Sequence, residues 1–438
     1  MRAGETAETS QRGGKVLQGC CRFCGTPLEH IFADLGVSPL ANSYLEPVDL
    51  KKMEPFYPLK VYVCNSCLLV QLEEVEKPEA IFSHYAYFSS YSDSWLEHAK
   101  NYAWKTIERF NLDKKSRVLE IGSNDGYLLS FFKEQEIPVT GIDPAENVAE
   151  VAKAKGIETW VNYFDQELAE ELVAAGKKAD LLVGNNVLAH IPNLNNLLRG
   201  MKKVLKPGGV ISLEFPGLLS LIEKRQFDTI YHEHYSYFSL TSAVKVFSSH
   251  GLEIIEVEEL ATHGGSLRIF ACRKEDKNIP VGALGATADT LMTGKRRVQE
   301  LLALEEKRGL TNLETYKAFS EQVKTAKKEI LKFLIGATEQ GSRVAAYGAP
   351  AKGNTLLNYC GIGPELIEFT VDRSPHKQGR YLPGSHIPVL APEMVDQKRP
   401  DYLVVLPWNL TGEITNQMEY IRQWNGRFVI FVPEINVF

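Results

Sequence analysis

Residues 118–129 read Val-Leu-Glu-Ile-Gly-Ser-Asn-Asp-Gly-Tyr-Leu-Leu, and this stretch decides the fold. The first four residues predict a buried strand, and the chain then turns through Gly122, Ser123, Asn124, Asp125 and Gly126 into a helical stretch. Glycines at 122 and 126 let the backbone take positive φ and approach a ligand closely. The helix start beyond them offers unpaired N–H groups. Dinucleotide-binding proteins place a pyrophosphate at such a helix end and use the spacing G-x-G-x-x-G. Here the spacing is E-x-G-x-x-x-G, beginning at Glu120, which suits a different ligand. Asp143, in Gly-Ile-Asp-Pro, lies 21 residues beyond Gly122 at the expected end of the next strand. An acid at that position can accept both hydroxyls of a ribose.

Outward from this turn, apolar strands alternate with amphipathic helices. Strands are expected at 117–121, 139–143, 158–161, 179–186, 209–215, 252–260 and 266–273. That alternation implies a largely parallel sheet covered on both faces. Residues 305–341 read as one or two long helices, and a second α/β unit follows, with strands expected at 343–349, 367–372, 402–407 and 427–433. The expected organisation is a flexible tail over 1–19, a cysteine-bearing module over 20–80, a ligand-binding α/β domain over 81–275, and a helical connector with a second α/β domain over 276–438.

Composition narrows the function classes. The chain has 438 residues and a net charge of −6, whereas a protein that grips nucleic-acid phosphates carries a basic excess. No run of 18 apolar residues predicts a membrane span, and the first residues have no apolar signal core. A cytoplasmic location is therefore expected, and a monomer is favoured. Reduced thiols are then the rule, and paired CxxC motifs favour a metal over disulfides.

Five of the seven cysteines fall in residues 20–80. Cys21-Arg-Phe-Cys24 and Cys64-Asn-Ser-Cys67 are two knuckles, each placing two thiolates on one side of a metal. Together they supply the tetrahedral four-sulfur sphere that Zn²⁺ prefers. Four thiolates leave no open coordination position, so the zinc is expected to be structural. The 39 residues between Cys24 and Cys64 must fold as a small sheet or a substantial loop. Cys272 and Cys360 read as small buried apolar residues.

Beyond the fifth strand, Tyr231-His232-Glu233-His234-Tyr235 concentrates titratable groups. A histidine can serve as a general base, a tyrosine can donate to an oxyanion, and a carboxylate can orient an imidazole. The His-x-His pair also invites a metal reading, but no third ligand accompanies it. A surface loop with satisfied histidines is the plainer alternative. His190 lies just past the fourth strand and reads equally well as a pocket or a core residue. Asn185 and Asn186 end that strand, where ligands of such sheets bind. Residues 85–95, Tyr-Ala-Tyr-Phe-Ser-Ser-Tyr-Ser-Asp-Ser-Trp, read as a lid or a packed linker.

The E-x-G-x-x-x-G spacing, Asp143 and the Leu205-Lys-Pro-Gly-Gly209 turn together match class I methyltransferases. Their Rossmann-like core holds the sulfonium cofactor S-adenosyl-L-methionine through residues placed like Glu120, Gly122, Asn124, Gly126, Asp143, Asn185 and Asn186. With the paired CxxC module, Tyr85 to Trp95, the Tyr231 to Ser239 run and Tyr347-Gly-Ala-Pro-Ala-Lys-Gly-Asn-Thr-Leu-Leu-Asn-Tyr359, nearly the whole chain resembles the sugar C-methyltransferases that act on nucleotide-linked 4-keto-deoxyhexoses. That resemblance implies methylation at C-3 through a base-generated enolate, in deoxysugar biosynthesis. It implies His234 as base, with Tyr231, Glu233, His190 and Tyr85 at the active site. It also implies nucleotide-sugar binding by the C-terminal α/β domain, where Gly348, Lys352, Asn354 and Arg373 suit a pyrophosphate. The readings left open are O- or N-methylation of another small molecule, a zinc-ribbon RNA methyltransferase, and a binding module that keeps only the fold.

Overall fold

The computed structural model describes residues 19–76, 89–91, 93–278 and 288–438. Tyr85 and much of the 85–95 segment lie outside the described residues. Three sheets organise the described chain. The first is antiparallel, in the order β1-β2-β3-β9, with β1 His30–Ser38, β2 Tyr57–Val63, β3 Val70–Leu72 and β9 Ser236–Tyr237. The second contains β4 Val118–Ile121, β5 Val139–Ile142, β6 Thr159–Trp160, β7 Ala179–Asn185, β8 Leu205–Pro216, β10 Leu252–Leu260 and β11 Ser266–Arg273. Their spatial order is β10-β11-β8-β7-β4-β5-β6. Strands β4 to β8 pair in parallel, and the hairpin of β10 and β11 closes the β8 edge antiparallel. The third sheet runs β14-β13-β12-β15-β16-β17, with β12 Val344–Tyr347, β13 Thr370–Val371, β14 Val389–Leu390, β15 Tyr402–Val405, β16 Arg427–Ile430 and β17 Asn436–Val437. It is parallel except for β17.

The central strands of the second sheet are apolar without alternation because helices cover both faces; in β7 every residue except Asp180 is buried. Two features depart from the sequence reading. Leu205 to Gly209, expected as a turn, already belongs to β8: Leu205 pairs with Ala179, and the register slips before Val210 pairs with Leu181. Gly208 takes φ +75° within that slip, which absorbs the extra residues as a bulge. The second departure is β9, a strand inside the histidine-rich run that no local pattern announces, because its partner β3 lies in the cysteine module.

The long helical region forms two helices, Ala288–Lys307 and Leu313–Glu339, broken at Gly309 (φ +81°). The first packs Val298 and Leu301 onto the second sheet. The second lays Tyr316 and Phe319 against the first sheet, with Phe319 stacked on Phe32 at 4.5 Å. Its later turns bury Ile330 and Leu334 against Val344 and Val404 of the third sheet, so one continuous core joins the cysteine module to the C-terminal unit.

Candidate functional site

The four expected zinc ligands converge. The Sγ atoms of Cys21, Cys24, Cys64 and Cys67 all lie within 4.8 Å of one another. Cys21 to Cys67 and Cys24 to Cys64 are each 3.5 Å. A tetrahedral Zn²⁺ with bonds of about 2.3 Å puts its sulfurs about 3.8 Å apart, so the cluster fits zinc with no ligand missing. Cys20 is not among the four and sits in a bridge to Pro27.

This knuckle reaches the histidine-rich run. Arg22, only 6% exposed, donates to Pro192 O at 3.0 Å and to Leu72 O, and its guanidinium stacks 5.3 Å from the Tyr235 ring. Leu72 N donates to Tyr235 O at 3.0 Å, and Tyr235 N donates to Ala189 O at 2.8 Å. Strand β9 itself hangs on β3, through Val70 with Tyr237 and Gln71 with Ser236. The cysteine module thus holds the 231–237 run from one side and the 189–192 segment from the other.

Within that run His234 is the pivot. Its Nδ1 lies 2.9 Å from Thr229 O. A carbonyl only accepts, so Nδ1 carries the proton and Nε2 keeps its lone pair. The Tyr231 ring lies over the imidazole with centroids 4.1 Å apart, His190 meets it edge-on at 4.8 Å, and Tyr237 stands at 6.0 Å. Burial, reinforced by His190, His263 and Lys352, holds the His234 pKa well below the ordinary imidazole value. Burial lowers His190 to about 4. His234 is therefore a neutral, partly accessible base. Glu233 turns elsewhere: it accepts from Asn42 Nδ2 at 2.5 Å, and burial pushes it up to about 7. His232 points to Pro58 O at 3.2 Å, away from His234's neighbours.

The opposite wall holds residues the sequence reading missed. His263 sits in the β10–β11 turn at φ +52° and meets Asn186 Nδ2 at 3.0 Å, with Asn186 also left-handed at φ +55°. Burial, then Lys352, lowers His263 to about 4. The His-Gly-Gly sequence of this turn was the available signal, since one side chain stands beside two glycines. Asp228 accepts from Trp408 Nε1 at 2.7 Å, and burial raises it to about 6. Lys352, expected in a separate pyrophosphate site, comes to this same wall: its Nζ donates to Asn409 Oδ1 at 2.6 Å and lies 4.3 Å from the Trp408 ring. Asn354 does not reach it. Only 1% exposed, Asn354 donates from Nδ2 to Ala41 O at 2.6 Å, tying the C-terminal unit to the cysteine module. Arg373 is exposed and pairs with Glu413 at 3.3 Å.

The cofactor turn takes the expected shape, with Gly122 at φ +67° and Gly126 at φ +75°. A Cβ on Gly122 would stand 2.4 Å from Val187 Cγ2, so the protein's own packing also demands this glycine. Asp143, at the end of β5, accepts from Asn124 N at 2.8 Å and Ala145 N at 2.9 Å. Asn185 is buried at the end of β7. Ser89 N donates to Asn124 Oδ1 at 2.9 Å and Ser90 donates to Asp125, closing the Ser89–Tyr91 turn over the glycine turn. Glu120 is fully buried, neither carboxyl oxygen has a hydrogen-bond partner, and burial beside Asp143 and Asp125 raises its pKa well above the ordinary value. An orphaned acid there fits a cationic ligand, which S-adenosyl-L-methionine is.

Comparison with known proteins agrees. Residues 21–82 match the family described as "Putative zinc binding domain", residues 95–257 a methyltransferase domain, and residues 261–433 a C-methyltransferase C-terminal domain. The C-methyltransferase NovU of Streptomyces niveus is 37% identical over 417 residues, covering 95% of this chain and 96% of its own. A ubiquinone biosynthesis O-methyltransferase of Pseudomonas fluorescens is 30% identical over 106 residues, 24% of this chain and 45% of its own. Among solved structures, magnesium protoporphyrin IX methyltransferase of Synechocystis with bound SAM superposes with a TM-score of 0.31 at 16% identity, over 41% of this chain and 79% of that one. The chain belongs to the C-methyltransferase family. It is an S-adenosyl-L-methionine-dependent enzyme with a four-cysteine zinc site in its N-terminal module. Among the described residues, no helix is long and apolar enough to cross a membrane.

Proposed function

We propose that the enzyme methylates C-3 of a nucleotide-linked 4-keto-deoxyhexose, in deoxysugar biosynthesis, through an enolate raised by His234. One observation carries this reading: His234 is a neutral imidazole whose Nδ1–H is spent on Thr229 O, leaving Nε2 as a base. Such an imidazole can take the proton of a carbon acid activated by an adjacent ketone. Bound S-adenosyl-L-methionine would supply the methyl group, held by the Gly122–Gly126 turn, with Asp143 toward its ribose and Glu120, Asn185 and Asn186 around its cationic end. His234 removes the C-3 proton. Tyr231 and His190 pack around the imidazole and fix its plane. Tyr85 is carried over from the family pattern as a further donor. Glu233, whose carboxyl is taken by Asn42, serves as a positioning residue for the neighbouring His234.

The C-terminal unit is the expected holder of the nucleotide. At its helix Ala351–Cys360, Tyr44 and Lys377 both donate to Ala349 O, and Asp372 accepts from Ala349 N, so the cysteine module contributes to that wall. Incubation with dTDP-, GDP- and CDP-linked 4-keto-6-deoxyhexoses tests the reading. The expected result is a 14 Da gain on at least one, with a new quaternary or tertiary carbon at C-3 by NMR (about one CH₂ net). A methyl group on oxygen or nitrogen would refute it.

A further inference from the structure

Abstraction of the C-3 proton builds negative charge on the C-4 oxygen, which a buried cation stabilises more strongly than a neutral donor such as Tyr85. Lys352 lies on the helix Ala351–Cys360 of the C-terminal unit, and its side chain turns to the Trp408–Leu410 segment that follows β15. It is held by Asn409 Oδ1 at 2.6 Å and by the Trp408 ring at 4.3 Å, and among the described residues Asp228 is the acid whose charge acts on it, with no ion pair within 4.0 Å of its Nζ. Trp408 is the hub of the wall. Its Nε1 donates to Asp228, whose neighbour Thr229 accepts from His234. Its far edge lies against Gly264, where a Cβ would meet Cη2 at 2.4 Å, so Gly264 brings its neighbour His263 alongside. Trp408 thus links Lys352 to the turn that carries His263 and to the Asp228–Thr229 segment that holds His234, and the Lys352 charge bears on both imidazoles. A desolvated ammonium held on Trp408, with its charge felt by two histidines kept neutral, suits an anion that arises beside them.

We propose that Lys352 is a catalytic residue, the cation that takes the developing enolate oxygen at C-4, and not a grip on the nucleotide's pyrophosphate. This rests on the enolate reading of the site. The C-3–H bond breaks, the proton goes to His234 Nε2, and the electron pair moves through C-3–C-4 onto the C-4 oxygen beside the Lys352 ammonium. The pair returns to C-3 and forms the bond to the methyl group as that group's bond to the sulfonium sulfur breaks, leaving S-adenosylhomocysteine; the ketone re-forms, and His234 passes its proton to solvent. No oxidant or reductant is needed.

The test is exchange of the C-3 hydrogen in D₂O with S-adenosylhomocysteine in place of the methyl donor, using the nucleotide-linked 4-keto sugar that the wild type turns over. K352M should slow exchange at saturating sugar about 100- to 1,000-fold. Affinity for the corresponding free nucleoside diphosphate and for S-adenosylhomocysteine should stay within about threefold, which also reports a folded protein. In K352A, added ethylammonium should restore part of the exchange. Exchange in K352M within about threefold of wild type overturns the proposal, as does a loss confined to nucleoside diphosphate affinity, which would make Lys352 a phosphate grip. If the wild type itself shows no exchange, the enolate reading and this assignment both fall; if the wild type exchanges, only the assignment is at stake.

Discussion

Replacing Arg22 with methionine separates the zinc module's structural work from metal binding. The side chain keeps most of its apolar bulk, while Leu72 O and Pro192 O lose their guanidinium donor. Both carbonyls lie where Arg22 is buried, so each orphaned acceptor costs about 1–3 kcal/mol. Relief of the buried charge, whose pKa burial has already lowered to about 10, offsets part of that. A net loss of about 2–4 kcal/mol is expected in denaturant unfolding. Because Pro192 and Leu72 flank the segments that carry His190 and Tyr235, kcat should fall about tenfold or more while the zinc content holds. Metal analysis, unfolding curves and methyl-transfer kinetics on one preparation make the measurement. A variant with full zinc, a stability change under about 0.5 kcal/mol and unchanged kcat would refute the coupling of the knuckle to the catalytic run.

Chelation of the metal, or Cys64→Ser, should abolish activity by unpinning β3 and therefore β9; activity that survives complete zinc loss by metal analysis would contradict this. Glu120 should be protonated before the cofactor binds and ionised beside its positive charge afterwards, so affinity should tighten as pH rises and binding should release a proton. Calorimetry in buffers of different ionisation enthalpy reads that proton, and Glu120→Gln should erase both effects. The acid limb of kcat/KM should lie below pH 6.5, because burial keeps His234 neutral there; a limb near pH 7 would instead report Glu233, which burial raises to about 7.

The glycine turn, Asp143 and the four cysteines could be read because their chemistry is local: each needs a side chain at a fixed offset within one strand–turn–helix or one knuckle. Strands β10 and β11 were readable as apolar runs, but their antiparallel pairing departs from the parallel sheet that the alternation implied. The proposed catalytic wall was not readable. Strand β9 exists because β3 lies beside it, and the Lys352, Trp408, Asp228 and His263 grouping draws on the C-terminal unit, the segment after β8 and a hairpin turn. Nothing in the neighbourhood of Lys352 in the chain distinguishes a lysine that turns toward a pyrophosphate from one that turns toward Trp408. Asn354, two residues on, shows the converse: a polar residue in a phosphate-like turn that is consumed by holding Ala41 O.

Carbanion formation by His234 is the step on which the proposed chemistry depends. In D₂O, with S-adenosylhomocysteine bound and a nucleotide-linked 4-keto sugar present, the wild type should wash deuterium into C-3. His234→Asn, which keeps a hydrogen-bonding group toward Thr229 but offers no base, should lose both this exchange and methyl transfer while binding the cofactor normally. Exchange at the wild-type rate in His234→Asn would contradict the assignment.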